Sequence, residues 1–152
     1  MGDDDRDRTG QAGGTIADDF DNDGRPDLLL SSVNDCEPLR LLHNNGNGTF
    51  TDRTAEASLT SQTGGLNIIQ ADYNNDGCLD ILVLRGGWEY PRRKSLLRSD
   101  CHGAFTDVTA EAGLLEPVTA TQTAAWTDID NDGNLDLFIG SENATAQLFL
   151  ND

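Results

Sequence analysis

Apolar residues in this chain are gathered in short clusters and never recur at helical spacing over any length. Runs of three or four occupy 28–30, 81–84 and 137–139. A second set occupies 39–42, 95–97 and 147–150, and moderately apolar stretches such as 66–71 and 123–126 precede them. Runs this short, bounded by Asn, Asp and Gly, predict β-strands. The turn Asn45-Gly46-Asn47-Gly48 leads to a fourth short run around Phe50, and Phe105 holds the same place in the next unit. Asn-Gly between apolar runs is a hairpin signal. Each unit therefore reads as about four strands over roughly 50 residues, the size of a propeller blade. The Thr-Ala-Glu-Ala stretches at 54–57 and 109–112 read as single helical turns between blades, and no long helix is predicted.

The polar segments repeat as strictly as the apolar ones. Asp19-Phe20-Asp21-Asn22-Asp23-Gly24-Arg25-Pro26-Asp27 is followed by Asp72-Tyr73-Asn74-Asn75-Asp76-Gly77-Cys78-Leu79-Asp80 and by Asp128-Ile129-Asp130-Asn131-Asp132-Gly133-Asn134-Leu135-Asp136. Residues 41–57 align with 96–112, and 148–152 begin a third copy of that element. The repeats divide the chain at approximately 12–60, 61–115 and 116–152, after an acidic tail or linker at 1–11. The third unit is incomplete.

Oxygen-bearing side chains fall at positions one, three, five and nine of each loop. They are Asp19, Asp21, Asp23 and Asp27, then Asp72, Asn74, Asp76 and Asp80, then Asp128, Asp130, Asp132 and Asp136. Glycine at position six permits a sharp turn around an ion, and the position-seven carbonyls of Arg25, Cys78 and Asn134 can then point inward. Such a hard, all-oxygen set suits Ca²⁺, which takes 6–8 oxygens with flexible geometry, better than Mg²⁺. Zinc would want His or Cys side chains, which the loops lack apart from Cys78. An EF-hand needs a bidentate Glu at position twelve and flanking helices; here that position is Leu30, Val83 or Ile139, each within a strand-like run. Crowded carboxylates repel one another unless a cation lies between them, so metal binding and folding should be coupled. Asn74 lowers the ligand charge of the second loop, where weaker binding is expected.

Charge sharpens this picture. The 152 residues carry 27 acidic and 10 basic side chains, a formal net charge of −17. Nucleic-acid binding is excluded on electrostatic grounds, and so is attraction to anionic membranes. Eleven of the 27 acids stand at loop positions, and about three bound Ca²⁺ would leave a charge near −11. No run approaches the ~18 apolar residues of a membrane span, and no signal peptide is visible in 1–8. Cys36, Cys78 and Cys101 form no CxxC pair, which argues against zinc and leaves open one disulfide or three thiols. The segment 85–94 holds the one basic cluster, with Trp88, Tyr90, Arg92, Arg93 and Lys94. Stacking rings beside cationic donors could contact a carboxylate, sulfate or sugar. His43 and His102 are isolated and read as turn residues, and the Asn47 and Asn143 sequons carry little weight. No nucleophile or phosphate-loop motif is present, so no catalytic residue is expected.

The acidic loop, the apolar strand after it and the Asn-Gly-Asn-Gly-Thr-Phe-Thr-Asp element at 45–52 resemble FG-GAP/VCBS repeats, the integrin-α-like propeller blades. Residues 103–114 resemble the subset found in ASPIC/UnbV and cartilage-acidic-protein relatives. The resemblance implies an all-β fold of three consecutive blades, excerpted from a propeller of roughly seven. It implies that the loop residues named above, with the carbonyls of Arg25, Cys78 and Asn134, hold about three Ca²⁺ between first and second strands. It further implies a non-catalytic module for extracellular or periplasmic binding, adhesion or scaffolding. Its partners would be the remaining blades or another copy, and a protein or glycan ligand. Two alternatives accompany it: a lectin using the loop from Trp88 to Lys94, and the non-catalytic part of a propeller-bearing enzyme.

Overall fold

A computed structural model describes residues 12–34, 36–87, 90–142 and 144–152. Three antiparallel sheets follow one another along the chain. The first is β1 (Ala12–Asp18), β2 (Asp27–Ser32), β3 (Arg40–Asn44) and β4 (Phe50–Asp52). The second is β5 (Asn67–Ala71), β6 (Asp80–Leu84), β7 (Ser95–Ser99) and β8 (Phe105–Asp107). The third has β9 (Ala120–Thr127), β10 (Asp136–Glu142) and β11 (Gln147–Phe149). Each strand pairs with the next in sequence, the meander of a propeller blade. The architecture is all-β, as the apolar runs predict. Leu30, Val83 and Ile139 lie within β2, β6 and β10, where no EF-hand could place its ligand.

Burial shows how the blades stack. In β2, Asp27, Leu29 and Ser31 are buried and alternate with half-buried neighbours, the period of a strand covered mainly on one face. In β6 every residue is buried, because this blade lies between two others. Ile81 and Val83 join Ile16, Leu29, Leu41 and Phe105 in one core. Leu82 and Leu84 join Leu137, Ile139 and Trp126 in a second. The first strands approach most closely, β1 against β5 and β5 against β9. Glycine permits the approach of β1 to the second blade: a Cβ on Gly13 would stand 2.2 Å from the carbonyl oxygen of Gly65, and one on Gly14 2.6 Å from the Ile68 nitrogen.

The Thr-Ala-Glu-Ala segments each form one helical turn. Ala57 N–H donates to Arg53 O, and Ala112 N–H to Val108 O. Each turn closes as a Schellman motif, with Leu59 N–H bonded to Thr54 O and Leu114 N–H to Thr109 O. The motif needs a left-handed residue, supplied by Ser58 (φ 62°) and Gly113 (φ 69°). The preceding Asp-x-Thr stitches the turn to the sheet. Asp52 accepts from Thr54 N–H, and Thr54 Oγ1 accepts from Leu41 N–H. Asp107, Thr109 and Leu96 repeat the arrangement.

Candidate metal centres

The acidic segments are the β1–β2, β5–β6 and β9–β10 loops. Their registers match: Asp18 pairs with Asp27, Ala71 with Asp80 and Thr127 with Asp136. Position nine is therefore the first residue of the second strand, and all three of these aspartates are 1% exposed.

Internal hydrogen bonding is also the same in each loop. The position-one carboxylate accepts the N–H groups of positions five and six. Asp19 takes Asp23 and Gly24, Asp72 takes Asp76 and Gly77, and Asp128 takes Asp132 and Gly133. The position-five carboxylate accepts the N–H of position seven, from Arg25, Cys78 and Asn134. Position nine accepts from the end of the third strand, Asn44 to Asp27, Ser99 to Asp80 and Asn151 to Asp136. The tight path requires left-handed residues at positions four and six. They are Asn22, Asn75 and Asn131 at φ near 60°, and Gly24, Gly77 and Gly133.

Carboxylate oxygens converge in two of the loops. Asp19, Asp21 and Asp23 bring one oxygen each within 4.8 Å of one another, and so do Asp128, Asp130 and Asp136. The second loop differs in its donor: Asn74 Nδ2 donates to Asp76 Oδ2 at 2.8 Å, where the first and third loops bond this oxygen to the position-seven side chains Arg25 and Asn134. Asp21 Oδ1 is buried without a hydrogen-bond partner. Burial pushes the Asp80 carboxyl up to about 6, with Asp76 and Asp72 adding to the effect against the Ser99 and Tyr73 N–H groups. Burial likewise raises Asp27. An oxygen-only set of crowded carboxylates with an orphaned buried oxygen fits a hard divalent cation. Such an ion would be held by positions one, three, five and nine.

Three features of this face were not legible in the loops. A disulfide joins Cys78, at position seven of the second loop, to Cys101 in the β7–β8 turn, with Cα atoms 5.3 Å apart; Cys36 is free and exposed. Basic side chains lean on the first loop: Arg25 is bonded to Asp23, and Arg53 Nη1 lies 3.3 Å from Asp21 Oδ2. His43 is not an isolated turn residue. It is a buried side chain of β3, with Nδ1 3.0 Å from Asp21 Oδ2 and 3.2 Å from Asp27 Oδ1. His102, exposed in the β7–β8 turn, lines the same recess of about 150 Å³.

On the opposite edge, the loop from 85 to 94 is anchored at both ends. Arg85 is buried and donates to Thr63 O, Gly64 O, Arg93 O and Ser95 Oγ. Lys94 does not face outward as a ligand contact would. It is 2% exposed, donates to Pro117 O and lies 5.6 Å from the Phe149 ring centroid. The aliphatic stem of lysine packs well in such a site when its amine reaches an acceptor. Tyr90 and Arg93 are exposed, and Arg92 lies 4.5 Å over the Tyr90 ring. Trp88 lies outside the described residues.

Antiparallel four-stranded units with a matched acidic loop after each first strand define a propeller-repeat protein. Residues 19–83 match the model of the FG-GAP-like repeat family. The chain is similar to cartilage acidic protein 1 of Mus musculus, with 36% identity over 123 residues, and to that of Homo sapiens, with 36% over 124. Each alignment covers 75% of this chain and 18% of the relative, so the chain spans about a fifth of the length of these proteins.

Proposed function

We propose that the chain is a calcium-stabilised propeller module that serves binding, adhesion or scaffolding in an extracytoplasmic protein. The observation that carries this reading is the threefold recurrence of one loop geometry, each closed on an aspartate that is 1% exposed. Burying three carboxylates at equivalent places is costly unless a cation compensates. Calcium rigidifies the turns between first and second strands and takes no part in bond breaking. The Cys78–Cys101 disulfide supports an oxidising compartment, extracellular or periplasmic. Calcium is plentiful outside cells, where loops of modest affinity fill.

The module has further blades as its partners, or a second copy. This is supported by the apolar side chains left open on its outer faces, Phe50 at 44% exposure on one and Phe138 and Leu148 at 43% and 47% on the other. Their counterparts Phe105, Leu82 and Leu96 are buried between blades.

Thermal melts with chelator and with added Ca²⁺ test the central claim. Calcium should raise the melting temperature, and coincident melts would refute metal-coupled stability. A second reading is carried by the stacked Tyr90–Arg92 pair on the opposite edge, where a carboxylated or sulfated glycan could dock. Glycan-array binding lost in Tyr90→Ala and Trp88→Ala would support that lectin reading, and unaffected binding would sink it.

A further inference from the structure

We propose that the first loop is selective for a borderline divalent cation of the zinc class, held by Nδ1 of His43 together with the carboxylates of Asp21 and Asp27. The inference rests on loop 1 being a cation loop and names the ion that it prefers. His43 comes from β3, sixteen residues beyond the loop's end, and the β2–β3 pairing returns it to the loop. Its side chain is 8% exposed, that of Asp21 13% and that of Asp27 1%.

The geometry around Nδ1 is that of a ligand set. Nδ1 stands 3.0 Å and 3.2 Å from two carboxylate oxygens but is in hydrogen-bond geometry with neither, so it is buried and unpartnered. Asp21 Oδ1 beside it is unpartnered too. Asp21 Oδ2 also lies 3.3 Å from Arg53 Nη1 and Asp27 Oδ1 accepts the Asn44 N–H, and a cation among the three side chains would further relieve the crowding of the two carboxylates. One ligand atom each of Asp21, Asp27 and His43 lies within 4.8 Å of the others, close enough for a single ion to reach all three. An imidazole nitrogen is also a poor partner for calcium and a good one for zinc or cobalt. On its far side, His43 Nε2 lies 3.8 Å from Asp23 Oδ2, which is itself bonded to Arg25, so this carboxylate does not hydrogen-bond the ring.

The preference is confined to the first blade. Arg98 and Leu150 occupy the place of His43 in the other two, so loops 2 and 3 keep oxygen-only donors. Among the described residues, the remaining histidine, His102, is not one of the converging groups.

The test uses the whole chain equilibrated with millimolar Ca²⁺ and titrated with Zn²⁺ or Co²⁺. Wild type is compared with His43→Leu, the residue type found at position 150. Wild type should take up about one Zn²⁺ in the presence of calcium, and His43→Leu should weaken that uptake by about tenfold or more. The calcium-induced rise in melting temperature should persist in the variant. Equal zinc affinity in both proteins, or no zinc uptake by wild type, overturns the proposal. Should His43→Leu not fold, the two imidazoles of the wild type decide. Zinc must shift the Nδ1 resonance of His43, and an unmoved resonance overturns the assignment. Zinc bound at His43 in a protein indifferent to calcium would sink the calcium reading and leave this site standing.

Discussion

Phe20 stands edge-on to Phe105, with ring centroids 5.8 Å apart and planes at 70°. One ring belongs to the acidic loop of the first blade and the other to the last strand of the second. The loop that holds the carboxylates therefore also holds two blades together. Both rings are nearly fully buried. Phe20→Ala should cost about 3 kcal/mol or more, combining lost burial and a cavity with the edge-to-face contact. Urea unfolding followed by tryptophan fluorescence reports it, and a loss under 1 kcal/mol would contradict the packing described.

Asp80→Asn removes a buried charge from position nine while leaving an oxygen to accept the Ser99 N–H. Calcium affinity at the second loop should fall by about tenfold or more, since ligand charge sets affinity in such loops. Calorimetric titration should then show one fewer site, and the melting-temperature gain from calcium should shrink. An unchanged stoichiometry would remove Asp80 from the ligand set.

Arg85→Met should destabilise the second blade by about 2–3 kcal/mol, because it leaves the buried carbonyls of Thr63, Gly64 and Arg93 without their donor. Arg85→Lys should not restore the loss, since an ammonium cannot span acceptors arranged around a planar fork. Chemical denaturation of the two variants checks both statements.

Ser58 and Gly113 close equivalent turns with left-handed backbone. Ser58→Gly should therefore stabilise the protein by about 1 kcal/mol, and Gly113→Ser should destabilise it by a similar amount. Opposite signs in paired melts are the decisive outcome.

Asp52 gives the pH dependence. Hydrogen bonds from the Thr54 hydroxyl and Arg40 hold its carboxyl down at about 2, against an ordinary value of 3.8. A depressed carboxylate stabilises the fold fully above pH 3.8 and loses that contribution as pH falls towards 2. The side chain is 46% exposed, so solvent screening limits the effect to less than about 1 kcal/mol. Asp52→Asn should flatten the acid limb of the stability profile between those pH values and lower stability at neutral pH by the same amount, less than about 1 kcal/mol.

The strands and acidic loops were legible because both depend on local spacing. Runs such as 81–84 and loops such as 72–80 need no distant residue to be recognised. The helical turns at Thr54 and Thr109 were legible for the same reason, since Asp52 and Asp107 cap them two residues away. What escaped was created by pairing across the sheet. His43 reads as a turn residue until β2 and β3 align it with Asp21 and Asp27. Cys78 and Cys101 read as scattered thiols until loop and hairpin meet on one edge. Lys94 looked like part of a basic surface, since charge in a sequence says nothing about a Pro117 carbonyl supplied by the next linker. The zinc class was set aside because the loops themselves carry no imidazole, and the missing nitrogen arrives from another strand.

The aromatic residue at position two gives the array a sense of direction. Phe20 reaches forward to Phe105 in the second blade, and Tyr73 reaches forward to stack on Trp126 in the third, with centroids 6.1 Å apart. Asn22 and Asn75 reach the same way, to Cys101 O and Gly133 O. Each acidic loop is thus fastened to the blade that follows it, and by linkage an ion bound in one loop and the packing of its successor would stabilise each other equally, in both directions.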